Sequence, residues 1–163
     1  MDDRAFVINV ADARATHNAR VGTWIDFQPE GVHFDQTGIN IHVLEPGKPN
    51  CLYHSEPVQE DFLVLHGECL VILDGAEVPL KRWDFVHCPP GAEHVFVGAG
   101  DGPCAVLMIG ARHGEDAAHY PVNEVAARHG ASVSEATDSP PQAYSIWPEP
   151  DEPAPNPWPP GRR

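Results

Sequence analysis

Short apolar runs separated by turn residues dominate the chain between about residues 20 and 110. They lack the long three-to-four-residue apolar period of an amphipathic helix. The turn residues between them include Asp74-Gly75, a dipeptide that suits a hairpin because glycine tolerates a positive φ. Closely spaced short strands of this kind predict an all-β sandwich or barrel. The predicted strands span residues 23–27, 39–44, 51–56, 61–65, 69–73, 78–80, 85–88, 95–97 and 104–109.

One helix and a proline-rich tail are predicted after the strands. Residues 121–130 begin with proline, carry apolar residues at helical spacing and end in glycine. From residue 139 onward prolines are too frequent for a central strand or a helix interior, so this tail is predicted to be extended or disordered. Trp147 and Trp158 either pin it to the barrel or a neighbouring subunit, or belong to a flexible terminus. The predicted divisions are an N-terminal segment at 1–20, a barrel at 21–112, a helical segment at 113–138 and the tail at 139–163.

Size and charge restrict the classes of function. The chain has 163 residues, enough for one domain with a sizeable core. Its 24 acidic residues against 10 basic ones give a formal net charge of -14 at pH 7. Such a surface repels phosphate backbones and anionic lipids, so we expect neither nucleic acid nor a membrane as a partner.

The cysteines and the N-terminus predict a cytoplasmic location. The four cysteines lie in apolar stretches and form no CxxC pair, so we expect buried or partly buried free thiols, as in a reducing compartment. The N-terminus lacks the apolar core of a signal peptide, and no run of about 18 apolar residues occurs.

The first block of residues that can carry chemistry runs from His54 to Glu60. Residues alternate faces in a strand, so His54 and Glu56 project from the same side. Glu60 opens the next apolar run after a short connection, which predicts a hairpin with Glu60 across from His54. One imidazole and two carboxylates then converge.

The second block ends at His94. A strand stops at Pro89-Pro90, turns at Gly91 and resumes at His94, which can bring this histidine back beside the first block. Two imidazole nitrogens with one or two carboxylate oxygens form a ligand set for a borderline divalent metal such as Zn, Fe(II) or Mn(II). Positions left open on that metal can hold water or substrate.

Together the two blocks resemble the cupin family over about residues 38–111. The first family motif is matched by Gly47, His54, Glu56, Glu60 and Gly67. The second is matched by Trp83, Pro89-Pro90-Gly91, His94 and Gly98. The resemblance implies a single double-stranded β-helix, or jelly-roll barrel, with a short C-terminal helix and the proline-rich tail added. It also implies one divalent metal held by His54, Glu60, His94 and, as a further ligand, Glu56.

Four features depart from the family pattern. The spacer after Gly47 is one residue longer than usual, and Glu56 stands where a second histidine is expected. Trp83 and Gly98 replace the usual glycine and asparagine, at positions that affect turns more than ligands. Glu56 is the important departure, because it changes the ligand set. It can coordinate the metal, transfer protons or face solvent.

Other residues are candidates for the cavity. Phe62, Val64 and Phe96 share strand parity with the proposed ligands and are predicted to form its apolar wall. His42 and His87 are weaker candidates for a catalytic acid or base, and Glu56 is a third. For both histidines a hydrogen-bonded structural role is the alternative.

Two classes of function remain open from the sequence. One is a metal-dependent enzyme acting on a small organic molecule, as a dioxygenase or an isomerase. The other is a non-catalytic cupin module that binds a small molecule or a metal. A homodimer is predicted in either case, because cupins pair sheets across a two-fold axis and apolar residues opposite the ligand face need covering by a second sheet or a partner. These residues are Leu63, Leu65, Val95 and Val97.

Overall fold

Two antiparallel sheets form the framework of the protein. The computed structural model describes residues 5–112 and 117–160. Its strands are β1 (Arg14–Asn18), β2 (Gly22–Asp26), β3 (Thr37–Leu44), β4 (Glu60–His66), β5 (Glu68–Leu73), β6 (Ala76–Lys81), β7 (Phe85–Cys88), β8 (His94–Ala99), β9 (Cys104–Ala111) and β10 (Glu152–Ala154). Its helices are α1 (Glu124–Arg128) and α2 (Pro140–Ala143). The predicted all-β jelly roll with a short C-terminal helix is confirmed.

The larger sheet has the strand order β10-β1-β2-β3-β9-β4-β7, and the smaller one has the order β6-β5-β8. β5 and β6 are joined through Asp74 and Gly75, whose φ values of 47° and 79° are those of a tight hairpin turn. That turn is therefore as predicted.

Eight of the nine predicted strands coincide with observed ones to within a few residues. The exception is residues 51–56, which do not form a strand. Their backbone groups bond to separate parts of the chain, with Tyr53 N donating to Ala131 O and Ser55 N donating to His119 O. The segment thus crosses between the small sheet and the C-terminal region.

The core between the sheets consists of alternate residues of each strand, whose side chains point toward the opposite sheet. Phe62 and Val64 of β4 pack there with Val71, Phe96 and Val106 from β5, β8 and β9. Cys69, Cys88 and Cys104 are buried in the same layer, Cys51 is partly buried, and all four are free thiols, as predicted.

The outer faces of the sheets are covered by the chain itself. Val95 and Val97, which the sequence leaves in need of cover, pack against Ala126 of α1 and against Ala131. Leu65 packs on the outer face of the large sheet beside Ile25, together with Trp158 from the tail. The cover that a partner subunit was expected to supply for these positions comes largely from the C-terminal segments.

The tail is folded onto the domain between residues 139 and 160. Residues 140–146 form α2 and one 3-10 turn where extended or disordered chain was expected. Prolines are tolerated there because the first positions of a helix need no N–H partner, and Ser139 caps the helix. β10 then pairs with β1, with Ala154 opposite Ala15. The structure supports the alternative in which the tail is pinned to the barrel.

Candidate metal centre

Three segments bring the predicted metal ligands together. His94 begins β8, Glu60 begins β4, and His54 lies in the loop between β3 and β4. His54 N donates to His94 O at 3.2 Å, and His94 N donates to His54 O at 2.8 Å. The predicted hairpin between residues 51–56 and β4 is therefore wrong, because His54 pairs with the start of β8 while β4 pairs with β7 and β9.

The side chains converge despite that different pairing. One ligand atom from each of His54, Glu60 and His94 lies within 4.8 Å of the other two. His94 Nε2 and Glu60 Oε2 are 3.3 Å apart. Neighbouring ligand atoms on a cation with bonds of about 2.1 Å are separated by roughly 3.0–3.4 Å, so this pair already has suitable spacing. The cluster can hold a divalent cation.

Backbone carbonyls fix the orientation of both imidazole rings. His54 Nδ1 donates to Leu52 O at 2.8 Å, and His94 Nδ1 donates to Ala92 O at 3.1 Å. A carbonyl can only accept, so each Nδ1 carries the proton and each Nε2 presents a lone pair to the site. Metal-binding histidines are oriented by such second hydrogen bonds.

Burial shapes the electrostatics of the cluster. It lowers the pKa of His54 to about 4, and the neighbouring His94 acts in the same direction. It also lowers the pKa of His94. Burial, and after it the charge of Glu56, raises the pKa of Glu60 to about 8. Two neutral imidazoles and a carboxylate that is costly to ionise face one another, and a cation between them would relieve that cost.

Glu56 stands beside the three-residue cluster. Its Oε1 lies 3.7 Å from His54 Nε2, on the side of the chain that alternation predicts. The cluster within 4.8 Å consists of His54, Glu60 and His94 and does not include Glu56. Ligation by Glu56 stays a prediction, and a role in proton transfer next to the cation is open to it.

The cluster faces a cavity of about 420 Å³. Phe62 lines this cavity, with its ring 5.2 Å from that of His94. Val64 and Phe96, predicted as wall residues, pack behind Phe62 in the core between the sheets. Shared strand parity places all three on one face, but only the residue nearest the ligands reaches the cavity.

The two weaker histidine candidates lie in different places. His42 lines the cavity, and its Nε2 donates to Val21 O at 2.8 Å. Burial lowers the pKa of His42 to about 4. His87 points away from the cavity toward solvent, where its Nδ1 lies 2.7 Å from Asp61 Oδ1. His87 is not among the described residues that line the cavity, because alternation along β7 turns Val86 and Cys88 inward instead.

Two cavity residues missed by the sequence reasoning come from beyond the barrel strands. Tyr120 stacks on His54 with ring centroids 5.8 Å apart, and Tyr144 packs edge-on against Tyr120 at 5.7 Å. Leu52 N donates to the Tyr144 hydroxyl at 3.3 Å. No spacing rule links these tyrosines to the ligands, because their positions depend on how the C-terminal segment folds back.

Arg112 and Asn40 also line the cavity and were missed. Here the signal existed in the sequence. Asn40 shares parity with His42 on β3, and Arg112 lies two residues beyond Gly110, the residue paired with Glu60.

Comparison with known proteins supports the fold that the two motifs predicted. Residues 40–110 match the family model described as the cupin domain. This match covers the region of the two motifs, which predicted it. No curated protein sequence matches it significantly.

Solved structures with the same fold come from several bacteria. A cupin-superfamily sugar phosphate isomerase from Silicibacter pomeroyi is 24% identical, with a TM-score of 0.61 over 71% of this chain and 82% of that one. The polyketide cyclase RemF from Streptomyces resistomycificus is 15% identical, with a TM-score of 0.57 over 68% and 81% of the two chains. A predicted oxalate decarboxylase from Thermotoga maritima is 19% identical, with a TM-score of 0.57 over 66% and 100%. At these identities the likeness concerns the fold alone.

Among the described residues, no helix has the length and apolar character needed to cross a membrane.

Proposed function

We propose that this protein is a metal-dependent cupin enzyme that acts on a small organic molecule bound in the cavity. The observation that supports it best is the convergence of His54, Glu60 and His94 within 4.8 Å. The cavity they face, of about 420 Å³, has room for a small metabolite. A divalent metal, when bound, supplies Lewis-acid polarisation of a substrate oxygen.

The protein's own side chains would then hold the metal, exclude water and transfer protons. His54, Glu60 and His94 hold the cation, and Phe62 excludes water from one side of it. Glu56, with Oε1 at 3.7 Å from His54 Nε2, is placed to take a proton from a bound substrate and return it elsewhere on the same molecule. Proton transfer of this kind is isomerase chemistry, which is our first candidate reaction.

A dioxygenase is the second candidate. Two histidines and one carboxylate with open positions are the ligand set of many non-haem iron oxygenases. Oxygen uptake by iron-loaded protein in a substrate panel separates the two reactions. Turnover in neither assay, with ligand binding retained, would leave the non-catalytic binding module as the function.

The relatives in structure lend limited support. The fold carries a sugar phosphate isomerase and a polyketide cyclase in two bacteria, so it is compatible with chemistry on small molecules. A fold does not fix a function, and the proposal rests on the site.

Metal content is the first test. Protein purified without added metal or chelator should carry close to one metal per chain. Glu60→Gln keeps the shape of the side chain but removes its charge, and we expect metal affinity to fall by more than about 100-fold, beyond the effect of losing an outer-shell contact. The exposed Glu30→Gln is the matched control and should bind as wild type. Retention of metal by Glu60→Gln, or its absence from wild type after loading, would rule the site out.

Glu56 is tested separately. If Glu56 moves protons, Glu56→Gln should keep metal affinity within about tenfold of wild type while turnover falls by about 100-fold or more. A loss of metal matching that of Glu60→Gln would instead make Glu56 a fourth ligand.

Assembly and location complete the proposal. We expect a homodimer, and light scattering on purified protein tests this. Much of the apolar outer surface is already covered within the chain, so a monomer is the result that would contradict the expectation. The free thiols agree with a location in the cytoplasm, which fractionation of the source cells tests.

A further inference from the structure

Arg112 is a cation at the wall of the cavity that contains the metal centre, and no other lysine or arginine among the described residues lines it. Arg112 N donates to Gln36 O at 2.9 Å, which extends the strand pairing one residue beyond β9. Residues two apart on a strand share a face, so Arg112 lies on the same inner face as Gly110. Gly110 is paired with Glu60 on one side and with Gly38 on the other.

The guanidinium of Arg112 lies over Gly38. A Cβ atom at Gly38 would be 3.4 Å from both Nε and Nη2 of Arg112, so glycine leaves the room in which this side chain rests. Gly38 and Glu60 flank β9, which puts their backbones about 10 Å apart at ordinary strand spacing. The guanidinium and the metal centre therefore lie on the same inner face of the sheet.

The donors of Arg112 are only partly used. Its Nη1 donates to Phe34 O at 2.7 Å and lies 3.3 Å from His33 Nε2. Its Nε and Nη2 donate to no described residue, and Arg112 is absent from the ion pairs found among the described residues. A guanidinium held at one corner with two adjacent N–H groups remaining suits a two-pronged contact with a carboxylate or phosphate.

Asn40 provides a second polar contact on the same wall. It is two residues from Gly38 on β3 and therefore shares its inner face. Its Oδ1 is buried and accepts no hydrogen bond from the described residues. Buried acceptors are nearly always satisfied, so this atom calls for a donor from a bound molecule, such as a hydroxyl group.

We propose that the cavity binds a small hydroxylated organic anion. Its carboxylate or phosphate is held by Arg112, a hydroxyl donates to Asn40, and another oxygen points to His54, Glu60 and His94. The last contact rests on the proposed function, whereas the first two do not. Glu60 and the neighbouring Glu56 would together offset the charge of a divalent cation, which leaves Arg112 to compensate the anion.

Calorimetric titration of three related probes tests the charge requirement. Glycerate, glycerol 3-phosphate and glycerol share a hydroxylated three-carbon skeleton and differ in the anionic group. Metal-loaded wild type should bind at least one of the anions about tenfold or more tightly than glycerol. The tighter of the two anions identifies the carboxylate or the phosphate as the natural group. Equal affinity for all three, or no binding, overturns the proposal.

Arg112 variants test the residue. Arg112→Met should lower the affinity for the preferred anion by about tenfold or more and leave glycerol unaffected. Arg112→Lys keeps the charge but loses the planar fork, and should fold and still bind the anion more weakly than wild type. The control is Arg14→Met, because Arg14 also donates to a backbone carbonyl, that of Gln28, but lies outside the cavity. An equal loss in the control would show that only net charge matters and would overturn the assignment.

Asn40→Ala tests the hydroxyl contact with propionate, which is glycerate without its hydroxyls. The variant should lose the preference of wild type for glycerate over propionate. A preserved preference contradicts the role of Asn40. The same titrations on metal-free protein separate the two proposals. If the protein cannot be loaded with metal but still binds the anion through Arg112, this inference is supported and the metal enzyme is refuted. Metal binding with anion affinity independent of Arg112 would do the reverse.

Discussion

Trp83 and Gly98 depart from the cupin pattern, and the structure explains the two departures differently. Trp83 replaces a usual glycine and has a φ of 76°, a conformation that glycine adopts without strain. Trp83 is 60% exposed, and the Arg82 guanidinium lies 4.7 Å from the centre of its ring. Gly98 replaces a usual asparagine where a Cβ would lie 2.2 Å from Glu45 O. Position 83 therefore has a strained backbone with a large side chain, whereas position 98 has no room for any side chain.

Restoring glycine at position 83 should stabilise the protein. Trp83→Gly removes the cost of a positive φ in a non-glycine residue and loses only an exposed cation–π contact, so we expect a gain of about 0.5–1 kcal/mol in the free energy of unfolding. Urea denaturation at constant m value measures it. Trp83→Ala, which keeps the strain, should show no gain. An equal gain in both variants would place the effect in the exposed ring.

Restoring asparagine at position 98 should have the opposite effect. Because Gly98 faces the backbone of Glu45, Gly98→Asn must displace that loop. We expect the free energy of unfolding to fall by about 3 kcal/mol or more. Gly102→Ala is the control, since a Cβ there meets no atom within 4 Å, and its effect should stay within about 0.5 kcal/mol. Thermal unfolding of both variants and of wild type measures the two effects. Wild-type stability in Gly98→Asn would contradict the close approach.

At the scale of elements, the tail contributes to the main sheet and to its outer core. Asn156 Nδ2 donates to Val10 O at 2.7 Å and to Ala13 O at 2.8 Å, and Trp158 packs on the apolar outer face of the sheet. These contacts join the tail to the N-terminal segment.

Loss of the Trp158 ring should therefore destabilise the protein. We expect Trp158→Ala to cost about 2–3 kcal/mol, less than for a fully buried tryptophan because this side chain is half-buried. The exposed Trp83→Ala serves as control, with a change of at most about 0.5 kcal/mol. Chemical denaturation monitored by circular dichroism measures both. An unchanged midpoint for Trp158→Ala would mean that the tail detaches freely from the sheet.

The barrel strands were predictable because local pattern sets them. Apolar alternation and glycine turns located β2 to β9 within a few residues. β1 and β10 were missed, since each is short and polar and is stabilised by a partner far away in sequence. Residues 51–56 look like a strand but are divided among three neighbours, which only the tertiary structure determines.

The candidate site was predictable to a similar extent. His54, Glu60 and His94 follow from the two motifs, whose spacing reflects fixed strand geometry. Tyr120 and Tyr144 do not follow from it, because their place at the cavity depends on the path of the chain after the barrel.

At the scale of the whole molecule, buried histidines should make the fold sensitive to acid. His42 has a pKa of about 4 in the folded protein against 6.5 for an ordinary histidine. The unfolded chain therefore takes up this proton first, so the stabilisation is complete above pH 6.5 and is lost as the pH falls toward 4.

His42→Gln tests this dependence. Between pH 7 and pH 5 the free energy of unfolding of wild type should fall by about 2 kcal/mol more than that of the variant, because only wild type has the shifted pKa of His42. Urea denaturation at both pH values, with a chelator present, gives the comparison. Parallel losses in the two proteins would show that His42 does not carry the effect.

The pairing of β1 with β10 also has a consequence for biosynthesis. The ribosome makes β1 early and its partner more than a hundred residues later, since Ala15 lies opposite Ala154. Until the late segment emerges, the nascent barrel presents an open strand edge and an uncovered apolar face, the features that favour association between chains.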